Sequence, residues 1–292
     1  MRVLITGSSG QLGRALAAAA PRGEVVKACT HAELDIADET AVAALWRDFA
    51  PELVINAAAF TRVDDAERSA EAAARVNGLG PAVLAAACRA ADAWLTHVST
   101  DFVFDGRQSH PYEVATPPNP LSVYGHTKLE GERAVLRELG ERSTVVRASW
   151  LYSASGGFAA RMLTLMRAKP ELRVVSDQVG APTHAAGLAG VLWALSARHA
   201  GGLWHWCDSG VASWYDFAVA TAEEAVRLSL LPTAPPILPV GTADYPTAAA
   251  RPAYSVLDKR AAEKLLKVTA PHWRLALRAT LAELTADRGA RP

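Results

Sequence analysis

The stretch that decides the fold is MRVLITGSSGQLGRALAAAA, residues 1–20. Its apolar start, Arg2–Thr6, predicts a buried β-strand. Its alanine-rich end, residues 11–20, predicts a helix that Pro21 ends. A strand and a helix joined by a short glycine-rich turn are typical of the opening unit of an α/β fold.

Three glycines in this turn follow the spacing GxxGxxG: Gly7, Gly10 and Gly13. Glycine lets the chain turn sharply, lets a backbone approach a pyrophosphate and lets the helix pack on the strand. The helix N-terminus adds free N–H groups and the positive end of its dipole, and both favour phosphate. The context of strand, turn and helix therefore predicts a dinucleotide site, with Gln11 and Leu12 among its contacts.

Further along the chain, short apolar runs alternate with helical patterns. The next predicted strands are residues 24–29, 53–58, 93–99 and 143–150. The predicted helices among them are residues 38–49, 66–76 and 81–91. Such alternation predicts an α/β fold of the Rossmann type, a doubly wound parallel sheet that helices cover on both faces.

The pattern is looser after Trp150. Predicted helices lie at residues 157–167, 183–197, from 213 onward and at 271–286, and predicted strands at 172–176 and 202–207. The segment 232–252, rich in proline and threonine, is expected to be a loop on the substrate side. We therefore expect a dinucleotide-binding domain over residues 1–150, to which elements near 171–200 return, and a smaller, mainly substrate-binding region over 151–292.

The composition limits the class of protein. The chain has 292 residues, of which 50% are hydrophobic and 21% charged, with a formal net charge of zero. Balanced charge gives no electrostatic reason to expect nucleic acid or an anionic membrane as a partner. The first residues run directly into a strand with no secretion signal, and apolar runs such as residues 187–197 are too short to span a bilayer. We expect a cytoplasmic protein.

The chain has three cysteines, Cys29, Cys88 and Cys207. They are scattered, with no CxxC spacing and no histidine at ligand spacing. This pattern favours three buried free thiols over a disulfide framework or a structural zinc site.

The end of the second predicted strand bears on which dinucleotide binds. An acid there would accept from a free ribose 2′-hydroxyl, but this chain has Cys29, Thr30 and His31. The lack of an acid removes a repulsion against a 2′-phosphate, so NADPH is favoured and NADH stays possible. His31 is interpreted either as a contact to that phosphate or as an exposed loop residue. Asp35 and Ile36 are expected at the adenine, where the Asp35 carboxylate would accept a hydrogen bond from the adenine amine.

Small and polar residues follow the next two strands. Three alanines come after the third strand: Ala57, Ala58 and Ala59. They suit a place where a flat ligand lies close to the backbone, although alanine is also common core filler. Ser99, Thr100 and Asp101 end the fourth strand, at the edge where ligands bind in open α/β folds. A hydroxyl there either bonds a substrate carbonyl or caps the turn.

Tyr124 and Lys128 stand four residues apart in VYGHTKLEGE, residues 123–132. Ser122 is expected to cap the helix that begins there, which places both side chains on one helix face. A free tyrosine has a pKa of roughly 10, and a neighbouring ammonium together with an oxidised nicotinamide would lower that pKa. The phenol would then exchange a proton with a reacting oxygen.

In this order and spacing, the motifs TGxxGxxG, NAAA, STD and YxxxK resemble the extended short-chain dehydrogenase/reductases. Longer stretches, among them NAAAFTRVDDAE, NPLSVYGHTKLEGE, DQVGAPT and SWYDFA, are similar to the dTDP-4-dehydrorhamnose reductase family over nearly the whole chain. The resemblance implies an enzyme that reduces the C4 carbonyl of dTDP-4-dehydro-6-deoxy-L-mannose to give dTDP-L-rhamnose.

The resemblance also implies roles for particular residues. Tyr124 would be the proton donor, Lys128 would hold the nicotinamide ribose, and the Thr100 hydroxyl would assist at the carbonyl. The implied substrate contacts are Val63, Thr100, Asp101, Trp150, Gln178 and Arg251. The indole of Trp150 offers a flat face and one N–H donor, although a core tryptophan is the alternative interpretation.

The chain departs from the family at two places. Members often read Arg-Arg-Pro where this chain has Ala250, Arg251 and Pro252, so one cation is missing. Some members form a magnesium-linked dimer through glutamates, and Ala15 stands at one of these positions. We therefore expect no metal in the chemistry, and either a monomer or a homodimer.

Other activities of the superfamily are alternatives. A nucleotide-sugar 4,6-dehydratase needs a glutamate after Asp101, where this chain has Phe102. A 4-epimerase would share Thr100, Tyr124 and Lys128 but hold NAD tightly. A non-catalytic binding protein could lack these residues, and this chain keeps all three. Another nucleotide-sugar 4-ketoreductase stays open, because the sugar leaves no signature in the sequence.

Overall fold

The computed structural model describes residues 1–289, with side chains described through residue 284. The strands are β1 Arg2–Thr6, β2 Val25–Cys29, β3 Leu53–Asn56, β4 Trp94–Thr100, β5 Ser143–Ala148, β6 Leu151–Tyr152, β7 Leu172–Val175, β8 Val179–Gly180, β9 Thr183–His184, β10 Gly202–Trp206, β11 Ala212–Ser213 and β12 Ile237–Val240. The helices are α1 Gln11–Ala18, α2 Glu39–Phe49, α3 Val63–Arg68, α4 Ala70–Ala74, α5 Gly80–Ala90, α6 Val123–Leu139, α7 Gly157–Ala168, α8 Ala185–Ala197, α9 Trp214–Arg227, α10 Arg260–Leu266 and α11 Trp273–Gly289.

Six strands form one parallel sheet in the order β10-β5-β4-β3-β1-β2. β1 pairs with both β2 and β3, so the chain crosses back over the sheet after β2. In open α/β sheets, ligands bind beyond the carboxyl ends of the strands where the strand order reverses in this way. The predicted Rossmann-type parallel sheet is confirmed, and its reversal places Thr6 directly beside Asn56.

Apolar side chains cover both faces of this sheet. Val3 and Ile5 of β1 belong to the same buried cluster as Leu188 of α8. Leu4, which lies between them on β1, belongs to a second cluster with Leu84 of α5. Neighbouring residues of a strand point to opposite faces, so β1 contributes to two cores at once. An apolar run with few polar interruptions is the sequence signature of that position.

The chain returns to the sheet after leaving it at β5. The predicted strand near residue 202 is confirmed as β10, which pairs with β5. α8 contacts α1, and the Trp193 indole N–H donates to the Leu16 carbonyl at 3.0 Å. β7 forms where a strand was predicted, but it pairs with β12 in a separate two-stranded sheet. The division of the chain near residue 150 stays a prediction.

Two local predictions are corrected. The helix predicted over residues 66–76 is broken at Ser69 into α3 and α4, and a π-helical turn, Arg75–Leu79, then leads into α5. The Asn77 side chain in that turn bonds the Phe60 backbone N–H and carbonyl at 2.8 and 3.1 Å. α6 packs so tightly there that a Cβ on Gly131 would lie 2.0 Å from the Asn77 carbonyl oxygen. These contacts between distant segments have no local signal.

The second correction concerns the predicted loop over residues 232–252. β12 lies inside it, followed by a 3₁₀ turn at Thr242–Asp244. The strand forms because β7 offers it a parallel partner. A single short strand beside prolines carries too weak a pattern to be read from the sequence alone.

The smaller C-terminal region has an aromatic core of its own. Tyr152, Phe217 and Trp273 pack together there with ring centroids 5.1 and 5.7 Å apart. The three cysteines are buried free thiols, as predicted. Within residues 1–289, no helix combines the length and apolar character needed to cross a membrane.

A buried ion pair joins α6 to β5. The Arg147 guanidinium donates to both carboxylate oxygens of Glu132, one of them from Nε at 2.9 Å. The Ser99 hydroxyl donates to the same carboxylate at 2.9 Å, and Arg147 lies over the Phe104 ring at 5.0 Å. Both charged side chains are at most 3% exposed. The carboxylate therefore accepts three hydrogen bonds from residues of β4 and β5, and these bonds fix α6 against the sheet.

Replacing Arg147 by methionine should lower the free energy of unfolding by about 3–5 kcal/mol, because the Glu132 carboxylate would stay buried without its ion partner. Scanning calorimetry should show this as a fall of roughly 10 °C in Tm. The double variant Glu132→Leu/Arg147→Met removes both charges and should recover most of the loss. An equal or larger loss in the double variant would contradict the assignment.

Candidate active site

A cleft of about 980 Å³ opens at the carboxyl edge of the sheet, between the ends of β1, β3, β4 and β5 and the C-terminal region. It brings together all but two of the residues that the sequence analysis selected. Those that line it are Gly7, Gly10, Gln11, Leu12, His31, Asp35, Ile36, Ala57, Ala58, Ala59, Val63, Thr100, Asp101, Tyr124, Lys128, Trp150 and Arg251. Gly13 and Gln178 do not line the cleft.

The glycine turn has no room for side chains. Gly7 has a φ of +69°, and a Cβ there would lie 2.7 Å from the backbone of Ala58. A Cβ on Gly13 would lie 2.2 Å from the Gly7 carbonyl oxygen, so Gly13 packs behind the turn rather than facing the cleft. α1 begins directly after Gly10, whose N–H donates to the Gly7 carbonyl at 3.0 Å. A bare backbone turn leading into a helix N-terminus fits a pyrophosphate.

His31, Asp35 and Ile36 lie at one end of the cleft. His31 is exposed, and Ile36 is buried against Gly80, where a Cβ would lie 2.6 Å from its side chain. Asp35 accepts from the Ala37 N–H at 3.0 Å and pairs with Arg75 at 2.5 Å. Burial acts to raise the pKa of Asp35, but these two donors hold it below its ordinary value. The ionised carboxylate keeps acceptor capacity for a further donor such as an amine.

Tyr124 lies in the first turn of α6. The predicted cap is confirmed, because the Ser122 hydroxyl accepts from the Gly125 N–H at 3.2 Å. The phenol ring meets the edge of Phe102, with centroids 5.6 Å apart. Burial raises the pKa of Tyr124 to about 12, although its interaction with the Thr100 hydroxyl acts to lower that pKa. The phenol therefore carries its proton at neutral pH, and the lowered pKa predicted from the sequence refers to a phenol beside an oxidised nicotinamide.

Lys128 lies one turn further along α6 and is almost fully buried. Its ammonium donates to the Val98 carbonyl of β4 at 2.7 Å. Burial lowers the pKa of Lys128 to about 8, and the nearby Glu132 carboxylate opposes that shift. A lysine with this pKa still carries its proton at neutral pH. The ammonium lies at the floor of the cleft and can donate to a bound hydroxyl.

Thr100 and Asp101 lie at the end of β4. The Thr100 hydroxyl donates to Asp101 Oδ1 at 3.1 Å and accepts from the Phe102 N–H at 3.2 Å. Asp101 is 2% exposed, and its Oδ2 has no hydrogen-bond partner within the described chain. Burial raises the pKa of Asp101 to about 7, while the Ser255 and Thr100 hydroxyls oppose the shift. Asp101 is thus a buried acid that lines the cleft at the end of β4.

Trp150 lines the cleft together with Trp214, a residue that the sequence analysis missed. Trp150 has a φ of +45°, and its indole stacks on that of Trp214, with centroids 3.4 Å apart and planes at 3°. The Trp214 indole N–H donates to the Gln178 side chain at 3.2 Å. Gln178 thus lies behind the aromatic pair. The only signal for Trp214 was its place in SWYDFA, at the start of α9.

Val63 and Arg251 also line the cleft. Arg251 makes a bidentate pair with Asp64, at 3.1 Å from Nη1 and 2.7 Å from Nη2. This pair ties the start of α3 to the C-terminal region. Ala250 is exposed and supplies no charge.

Among the side chains that the structure describes, through residue 284, no three histidine, cysteine or carboxylate groups lie close enough together to hold a metal ion.

The chain matches known proteins over nearly its whole length. The family model described as the RmlD substrate binding domain matches residues 1–286. The spore coat polysaccharide biosynthesis protein SpsK of Bacillus subtilis is 41% identical over 97% of both chains. The dTDP-4-dehydrorhamnose reductase of Aggregatibacter actinomycetemcomitans is 39% identical over 95% of this chain and 97% of its own.

Solved structures agree. A dTDP-4-dehydrorhamnose reductase from Clostridium acetobutylicum superposes with a TM-score of 0.90 at 36% identity, covering 98% of this chain and all of its own. The dTDP-4-dehydrorhamnose reductase from Bacillus anthracis, in complex with NADP, superposes with a TM-score of 0.89 at 32% identity, covering 97% of this chain and 99% of its own. A Thermus thermophilus UDP-glucose 4-epimerase in complex with NAD gives 0.80 at 20% over all of both chains, which shows a shared fold. The chain belongs to the dTDP-4-dehydrorhamnose reductase family, within the extended short-chain dehydrogenase/reductases.

Proposed function

We propose that the protein reduces the C4 carbonyl of dTDP-4-dehydro-6-deoxy-L-mannose, with NADPH as the preferred reductant, to give dTDP-L-rhamnose. The observation that carries the proposal is that Thr100, Tyr124 and Lys128 line one cleft with the glycine turn. Relatives named as dTDP-4-dehydrorhamnose reductases support this substrate. The similarity to SpsK favours a role in making a surface polysaccharide.

The residues proposed to hold the cofactor lie along the cleft. The turn from Gly7 to Gly13 would hold the pyrophosphate, and Asp35 and Ile36 would hold the adenine. The three alanines after β3 leave room for the remainder of the dinucleotide. NADPH is preferred because β2 ends at Cys29 without an acid and because His31 is exposed at that end of the cleft. NADH remains a usable alternative. A relative that binds NADP supports this assignment.

Tyr124, Thr100 and Lys128 have different roles in the proposed proton transfer. The nicotinamide, when bound, supplies the hydride. The phenol of Tyr124 donates its proton to the carbonyl oxygen as negative charge develops there, and the Thr100 hydroxyl bonds the same oxygen. Lys128 holds the nicotinamide ribose, and its ammonium favours the phenolate that forms. A phenol that carries its proton at neutral pH suits reduction, because it can donate that proton to the developing alkoxide.

The substrate contacts follow from the walls of the cleft. Asp101, which lines the cleft, would bond a sugar hydroxyl. Trp150 would present its indole to the sugar or base, with Trp214 and Gln178 holding that indole in place. Val63 and Arg251 would contact the nucleotide from the other side. Phe102, next to Asp101, places no acid beside the reacting carbon, so a reductase is favoured over a dehydratase.

Replacing Tyr124 by phenylalanine should lower kcat by about 10²- to 10⁴-fold, because the proton donor is removed while the ring stays. The measurement follows NADPH absorbance in the presence of the 4-keto sugar nucleotide. The affinity for NADPH, measured by fluorescence titration, should change little. Tyr245→Phe is the matched control, because Tyr245 is exposed and lies outside the cleft. Activity of Tyr124→Phe equal to wild type would exclude the proposed role.

The affinity for NADPH should fall as the pH rises above about 8. Burial lowers the pKa of Lys128 to about 8, so the ammonium that holds the ribose is present below that pH and lost above it. The Kd for NADPH should rise by up to about tenfold between pH 7 and pH 9. Lys128→Arg keeps its charge throughout and should show a flatter profile. A wild-type Kd that stays constant over this range would contradict the assignment.

A further inference from the structure

Arg62 is a charged residue of the cleft that has none of the roles proposed above. It lines the cleft directly before Val63, and its side chain is 75% exposed. The substrate class named above carries a diphosphate between its sugar and its nucleoside. With the sugar at Tyr124 and Thr100, the diphosphate lies further out, toward the mouth of the cleft. A cation at the mouth of the cleft would therefore attract the diphosphate.

Three lysine or arginine side chains line the cleft in the described part of the chain, Arg62, Lys128 and Arg251. Lys128 is buried at the floor, where it donates to the Val98 carbonyl. Arg251 uses both Nη groups on the Asp64 carboxylate and also donates to the Ala249 carbonyl at 3.1 Å. The charge of Arg251 is thus largely neutralised before any ligand binds.

The guanidinium of Arg62 is far less committed. Its Nε lies 3.1 Å from Asp65 Oδ2, in a pair whose side chains are 75% and 48% exposed. An exposed pair of this kind is weak and readily exchanged. Among residues 1–284, whose side chains are described, Asp65 is the one ion partner of Arg62. The Phe60 ring, 5.4 Å from the guanidinium carbon, holds the side chain against the wall of the cleft.

Arg62 and Arg251 both line the cleft. Asp64, which pairs with Arg251, is two residues after Arg62, so this pair brings Arg251 to the segment that carries Arg62. The phosphates of the cofactor are assigned to the glycine turn and the start of α1. The two arginines are therefore left for the phosphates of the second ligand.

We infer that Arg62 is a substrate-specificity residue that binds the diphosphate of the sugar nucleotide, with its planar fork donating to phosphate oxygens. Arginine suits this role because its fixed donors match phosphate geometry in pairs. On binding, the contact to Asp65 is exchanged for the diphosphate, and Arg251 supplies a second, weaker attraction. The inference rests on the proposed nucleotide-sugar substrate.

The test is isothermal titration of the full chain, saturated with NADP⁺, with dTDP and with thymidine. Arg62→Ala should weaken dTDP binding by about tenfold and leave thymidine binding unchanged, because only dTDP carries the phosphates. Arg62→Lys should recover part of the loss, and raising the salt concentration should weaken wild type more than Arg62→Ala. Arg68→Ala is the control, because Arg68 is exposed at the end of α3, the helix that begins directly after Arg62, but does not line the cleft.

The inference is overturned if Arg62→Ala binds dTDP as tightly as wild type, if dTDP and thymidine weaken equally, or if the loss appears in NADP⁺ affinity instead. Failure of the proposed function has a different signature. If wild type binds dTDP through Arg62 but oxidises no NADPH with the 4-keto sugar nucleotide, the role of Arg62 stands and the reductase fails. If the reductase is active and Arg62→Ala leaves the KM for the sugar nucleotide unchanged, Arg62 fails and the reductase stands.

Discussion

The buried ion pair between Glu132 and Arg147 is the constraint on which the active site depends. It saturates a carboxylate inside the protein with donors from β4 and β5, and so fixes the position of α6 on the sheet. Lys128 lies one helical turn before Glu132, and Tyr124 lies two turns before it. A shift of α6 along the sheet would move both side chains away from Thr100. The pair thus connects the stability of the core with the geometry of proton transfer.

The electrostatics of the cleft follow from burial. The same low-polarity surroundings raise the pKa of Tyr124 and Asp101 and lower that of Lys128. Each of these groups is thereby held closer to its neutral form before ligands arrive. For a reductase this is useful, because a protonated phenol is the species that donates to a developing alkoxide. The charge that favours phenolate is then supplied by Lys128 together with an oxidised nicotinamide, which is the combination that the sequence prediction named.

Local patterns predicted the fold and the centre of the site, whereas contacts between distant segments were missed. The strand, glycine turn and helix at residues 1–20 carry their own periodicity, and the spacing of Tyr124 and Lys128 on α6 defines one helix face. Trp214 lies 64 positions after Trp150 in sequence, so no local pattern could reveal their stacking. The π-helical turn packed against α6 and the strand β12, which pairs with β7, were missed for the same reason. Gly13, selected with the same turn, packs behind it, where only a residue without a side chain fits.

The central claim is that the cleft transfers hydride to C4 of a nucleotide sugar. It is tested most directly with NADPH that carries deuterium at the transferable position of the nicotinamide, incubated with the 4-keto sugar nucleotide. The account predicts one deuterium at C4 of the product, detected by NMR and mass spectrometry, with the L-rhamno configuration. Product without deuterium at C4, deuterium at another carbon, or NADPH left unoxidised would contradict it.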